Sequence, residues 1–156
     1  MKKGNPLKVV PGLRDWTVYC MWFAAELITD NFDDVAAKLG VGDYKNLVLL
    51  RCVSEMGGML SQAELSQVLR VNANSMVQRA DTLEKTGFLR RERSKDNRRK
   101  YRIKLTPKAE KILHEFLKSP EPKIDGITPE ELAALQRLCC SFIEYSLKEK
   151  SQHAAG

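Results

Sequence analysis

Between Trp16 and Ile28 almost every position is apolar, between Leu65 and Leu83 apolar residues recur three and four apart, and between Lys100 and Leu105 they alternate with basic ones. These patterns call for different surroundings. An all-round apolar segment fits a helix covered on more than one side. Here it is the middle of a long helix from about Leu13 to Leu39, after an extended lead-in carrying Pro6, Pro11 and Gly12. In a chain this small, such a helix asks for a second subunit to cover it.

Asp43 is suited to N-cap a second helix, with Leu47, Leu50, Val53 and Met56 inward and Gly57-Gly58 as its stop. Ser61 and Glu64 have the spacing of a capping box and start a third helix of about ten residues, with Leu65, Val68 and Leu69 as its stripe. Asn72 caps a fourth helix that ends at Gly87, with Met76, Ala80 and Leu83 facing inward. That phase turns Asn74, Gln78, Asp81 and Lys85 outward and leaves Ser75 near the edge. The tight connection from Arg70 to Asn72 makes the last two helices a helix-turn-helix.

Tyr101, Ile103 and Leu105 alternate with Lys100, Arg102 and Lys104, the period of a half-buried strand. Phe88 to Arg93 is its partner and Ser94 to Arg99 the joining loop, giving a hairpin with a basic tip. Thr106-Pro107 and Thr128-Pro129, the latter with Glu131 at the capping-box position, start two further helices over 107–118 and 129–149. Leu132, Leu135, Leu138, Cys139, Phe142 and Ser146 run down one side of the last, a stripe that again needs a partner. The fold class is mainly α (α+β).

Composition adds that 156 residues, 43% hydrophobic and 29% charged, suit one soluble, folded domain. Charge changes the picture more. Residues 61–104 hold 12 Lys/Arg against 5 Asp/Glu, a local +7, so the other residues hold 14 against 15 of the totals of 26 and 20. The excess positive charge therefore lies in the block that contains the helix pair and the hairpin, the footprint of a polyanion binder. A solvated basic face is the plain alternative for a charge run alone, but an alternating strand is a folded element.

Double-stranded DNA offers a major groove that admits a helix and a narrow minor groove that attracts arginine. Arg98 and Arg99 at the hairpin tip suit the minor groove, and Arg90, Arg91, Arg93 and Lys95 suit phosphates. The amides at the helix starts marked by Ser61 and Asn72 would meet phosphates through the helix dipole. Asn72, Asn74, Ser75 and Gln78 are candidates to touch base edges.

The segment LSQAELSQVLRVNANSMVQRADTLEKTGFLRRERSKDNRRKYRIKLTPKAEKIL, residues 60–113, resembles the winged helix-turn-helix core of the MarR family of transcription regulators. The resemblance implies three regions within one compact domain: an N-terminal dimerisation helix over 1–40, the winged helix-turn-helix over 41–106 and C-terminal dimerisation helices over 107–156. It also implies a homodimer on a pseudo-palindromic site and a small-molecule or oxidant signal that changes the spacing of the two winged modules. A repressor released by an effector, a small aromatic or acidic molecule, is expected. Arg79 joins the DNA-contacting candidates on this basis, because a basic residue is common at the neighbouring position, here Gln78. The family's wing usually reads Asp-Arg-Arg, whereas Asn97 precedes Arg98 here and Asp96 stands one place earlier.

Other chemistry is sparse. Cys20, Cys52, Cys139 and Cys140 lack zinc-ligand spacing, and neither a metal nor another cofactor is expected. Apolar neighbours favour an inert Cys20, and its alternative is a thiol-based redox sensor. Adjacent Cys139 and Cys140 do not readily meet disulfide geometry. His114 stands without a nucleophile motif, so an enzyme is not expected. Arg14, Trp16, Tyr19 and Trp22 combine a cation with aromatic walls and are effector-pocket candidates, with core packing as the alternative. VYCMWFAA, residues 18–25, is flanked by Arg14, Asp15 and Glu26, unlike a signal-peptide core, and no stretch reaches membrane-span length. A cytoplasmic protein follows. A winged helix also serves as a protein-interaction adaptor or an RNA binder, which remain alternatives of another class.

Overall fold

The computed structural model describes residues 6–93, 101–118 and 127–153. They fall into two compact units, residues 1–118 and residues 119–156. The first runs through α1 (Pro6–Val9), a 3-10 turn (Pro11–Asp15), α2 (Thr17–Lys38), α3 (Tyr44–Glu55), α4 (Gln62–Val68), α5 (Ala73–Lys85), β1 (Leu89–Arg93), β2 (Tyr101–Leu105) and α6 (Pro107–Lys118). The second contains α7 (Pro129–His153). Helix pair and hairpin together form a winged helix-turn-helix.

The long first helix is interrupted where the periodicity predicts continuity. Pro11 opens the 3-10 turn, and Trp16, at φ −96° and ψ 91°, is extended before α2 begins. The C-terminal part of α2 is anchored in the core: Ala36 is buried, and Phe32 stacks on Tyr44 at 5.0 Å and meets Phe116 edge-on at 6.1 Å. Its first half is more open, with Val18 66% and Trp22 56% exposed.

The core forms where the inward faces of α3, α4, α5 and α6 meet the inner face of the hairpin. Leu47, Leu50 and Val53 from α3, Leu65 from α4, and Met76, Ala80 and Leu83 from α5 are buried as their spacing requires. Phe88, Leu89, Ile103 and Leu105 close it from the sheet side and Ala109 and Leu113 from α6. Local chemistry sets the helix starts. Asp43 accepts the Asn46 N–H at 2.8 Å, and Asn72 accepts the Ser75 N–H at 2.8 Å. Ser61 and Glu64 bond reciprocally, at 2.7 Å from the Ser61 N–H and 3.3 Å from the Glu64 N–H.

β1 and β2 pair antiparallel with Leu89 opposite Leu105 and Arg91 opposite Ile103, while Arg90 opposite Lys104 and Glu92 opposite Arg102 occupy the other face. A two-stranded hairpin alone is marginal in water. Here the Ile103 N–H donates to Leu60 O at 3.2 Å, and Ser61 bridges Arg102, so the chain before α4 extends the hairpin.

Three apolar residues lie outside the expected core. Met56 is the C-cap of α3, beyond its last inward turn, and is exposed. α4 has only seven residues; Leu65 alone reaches the interior and Val68 at its end faces solvent. Tyr101 pairs with Arg93 at the end of the ladder furthest from the core residue Leu105, and it too is exposed.

Gly58 marks a close approach. Its φ is +68°, and a Cβ there would lie 2.8 Å from Lys104 Cγ and 3.3 Å from Ile103 O. Gly58→Ala should therefore cost about 1–2 kcal/mol from the left-handed backbone alone. Urea unfolding would read it, and an unchanged midpoint would refute the left-handed turn at Gly58 that brings the α3–α4 connection onto β2.

In the second unit, the Thr128 N–H donates to Glu131 Oε2 at 2.8 Å and the Glu131 N–H to Thr128 Oγ1 at 3.2 Å, the expected capping box. α7 continues to His153, past the expected end near 149. Leu135, Leu138 and Phe142 are exposed along it, Leu138 at 68%. No described helix is long and apolar enough to cross a membrane.

Candidate nucleic-acid interface

α5 divides its residues by direction. At about 100° per residue, Met76, Ala80 and Leu83 point into the core while Ala73, Asn74, Val77 and Gln78 share the exposed arc of its first two turns. Ser75 is half-buried between the two. The helix is aimed by the turn before it, where Arg70 adopts φ 52° and Ser66 Oγ donates to Val71 O at 2.6 Å.

Two of the arginines expected at the DNA are held in polar clusters that join separate elements of the fold. Arg79 Nη1 donates to both carboxylate oxygens of Asp43, and to Asn46 Oδ1, at 2.8 Å each. Asn46 is a buried polar side chain with both its amide nitrogen and its oxygen paired, because its Nδ2 also donates to Val41 O at 2.9 Å. Asp33 Oδ1 accepts the Tyr44 N–H at 2.7 Å, so α2, α3 and α5 meet in one polar cluster.

Arg91 forms the second cluster, between helix pair and hairpin. Its Nη2 donates to Asp81 Oδ1 at 2.6 Å and to Gln62 Oε1 at 3.2 Å, its Nη1 donates to Glu84 Oε2, and its N–H donates to Glu84 Oε1 at 3.0 Å. Burial works to lower the guanidinium pKa, but the hydrogen bonds and charges of Asp81 and Glu84 outweigh it and raise the value above the ordinary one. One fork-shaped cation thus holds α4, α5 and β1 together.

On the other sheet face Glu92 pairs with Arg90 at 3.1 Å and with Lys104 at 2.8 Å. Lys95, Arg98 and Arg99 lie outside the described residues. Ser61 and Asn72 are committed as caps: their side chains accept the Glu64 and Ser75 N–H groups, and the Ser61 N–H is itself bound to the Glu64 carboxylate.

The structure brings the aromatic effector candidates together. Trp16 and Tyr19 lie 6.1 Å apart, Tyr19 and Trp22 5.7 Å, and Phe23, which the sequence reading left out, stacks on Tyr19 at 5.8 Å. Arg14 sits in the preceding turn. Cys20 Sγ donates to Leu13 O at 3.4 Å, and burial pushes the Cys52 thiol pKa up, away from the thiolate. A cleft of about 530 Å³ runs beside the α4–α5 turn, with Tyr44, Lys45, Arg70 and Arg79 among its walls. Periodicity gave no signal for it, because its walls come from separate elements. Among the described residues, no group of three or more His, Cys, Asp or Glu is placed to hold a metal ion.

Residues 44–101 match the family model described as MarR family. The fold is shared by the transcriptional repressor CouR bound to a 23-mer DNA duplex, at a TM-score of 0.74 and 19% identity over 84% of this chain and 94% of that one. A mutant MarR from E. coli complexed with operator DNA matches at 0.67 and 17% identity, over 87% and 96%. The transcription regulator MarR from Oenococcus oeni PSU-1 matches at 0.60 and 21%, over 80% and 96%.

Proposed function

From the premise that the chain carries a MarR family domain over residues 44–101, we propose that it is a cytoplasmic, sequence-specific DNA-binding transcription regulator. It acts as a homodimer on a pseudo-palindromic site, as a repressor released by a small effector, and performs no catalysis. The observation that carries this reading is α5: its inner face and its arginine are used by the fold, while Asn74 and Gln78 stand exposed beside a hairpin rich in arginine.

The homodimer is supported by the open apolar residues of α2 and, separately, by those of α7. The effector reading has two supports, the aromatic ladder from Trp16 to Phe23 and the cation-walled cleft beside Tyr44. Both suit a small aromatic or acidic molecule.

Salt titration on a selected duplex and on a scrambled one tests the proposal. Affinity should fall steeply with salt on both, and the selected site should bind tighter by about three orders of magnitude or more. Equal affinity for the two would instead fit a nonspecific nucleic-acid binder, and no binding to either a protein-interaction adaptor. Arg98→Ala, at the sequence-derived wing tip, should weaken binding by about 1–3 kcal/mol and leave dimerisation unchanged by sedimentation.

A further inference from the structure

We propose that Val77 and Ala73 read thymine methyl groups while Asn74 and Gln78 read adenine edges, so that the core of each half-site consists of A·T pairs. This rests on the DNA-binding reading above and adds what the helix recognises.

The argument begins with what α5 has left to offer. Residues 73 and 77, and likewise 74 and 78, are four apart and lie along two neighbouring lines of one exposed arc. One line is apolar, Ala73 and Val77; the other carries side-chain amides, Asn74 and Gln78. Val77 is 41% exposed. A β-branched residue there is a weaker helix former than alanine, and it gives up apolar surface to water.

Charge is missing from this arc. The first cation after the cap is Arg79, and its guanidinium is bound to Asp43 and Asn46. The next acidic residue, Asp81, is paired with Arg91. Guanine O6 and N7 are typically bound by arginine or lysine, and the cytosine amino group by a carboxylate. Neither group is available on the first two turns. An amide matches adenine N6 and N7 as a donor–acceptor pair, and an apolar side chain matches the 5-methyl group of thymine. The two lines together therefore present the complements of both partners of an A·T pair.

The test uses the full-length chain. Duplexes are first selected from a random pool, and each thymine of the enriched half-site is then replaced singly by deoxyuridine, which removes only the methyl group. At one or two positions per half-site the wild type should lose about fourfold in affinity, the worth of one buried carbon expressed as a ratio. Val77→Ala, a substitution that favours the helix, should already carry that loss and be indifferent to deoxyuridine at one of those positions. Enrichment of a site with invariant G·C pairs at the half-site core overturns the inference alone. So does an equal deoxyuridine penalty in wild type and Val77→Ala. If no sequence is enriched, the DNA-binding proposal itself fails.

Discussion

Phe88→Ala should destabilise the protein by about 3–5 kcal/mol, the range for removing a fully buried aromatic side chain. Phe88 is 0% exposed. It follows Gly87, whose φ of 75° turns the chain out of α5, and its N–H donates to Leu83 O at 2.8 Å. Its carbonyl accepts the Thr106 N–H at 3.1 Å, tying the start of β1 to the start of α6. Lys108 Nζ lies 4.1 Å from the ring centroid, and a Cβ on Gly40 would lie 4.0 Å from the ring. One side chain therefore fills the junction of the α2 end, the α5 end and the hairpin. Against a usual total of about 5–15 kcal/mol, the loss is a large fraction. Calorimetry at fixed protein concentration should show a melting point lower by roughly 6–20 °C. A shift of only a degree or two would mean that the ring is not the packing centre described here.

Arg91→Ala should cost about 2–3 kcal/mol, because it leaves two carboxylates without their charge-assisted bonds. The guanidinium side chain is 24% exposed, but Asp81 and Glu84 are 45% and 38% exposed, so water recovers part of the loss. Arg91→Lys should restore little, since a point charge cannot replace a fork that meets Asp81, Glu84 and Gln62 together. DNA affinity should fall as well, through a hairpin no longer fixed to α5 rather than through a lost phosphate contact. A double-mutant cycle of Arg91→Ala with Asp81→Ala decides the matter. A coupling of about 1 kcal/mol or more is expected, and additivity within about 0.3 kcal/mol would remove the cluster from the explanation.

Features set by neighbouring residues were legible in the chain itself. The caps at Asp43, Ser61, Asn72 and Thr128 rest on bonds spanning three residues, and the periodicity of Met76, Ala80 and Leu83 identified the inner face of α5. What escaped was long-range pairing. Arg79 meets Asp43 across 36 positions and Arg91 meets Gln62 across 29. Nothing in local spacing distinguishes an arginine aimed at phosphate from one aimed at a carboxylate brought in by the fold. Val77 lies on the outward arc that the phase of Met76, Ala80 and Leu83 already defines, and its 41% exposure agrees with that phase.

The separation of duties around α5 bears on how such a protein changes its target. Anchoring belongs to Met76, Arg79, Ala80 and Leu83, and Asn72 holds the helix start, whereas the side chains at Ala73, Asn74, Val77 and Gln78 are exposed and make no hydrogen bond or ion pair with another described residue. A duplicated copy can therefore drift at those four positions while its folding stability stays nearly constant. A new operator preference is then reachable through a few surface changes, without passing through an unstable intermediate.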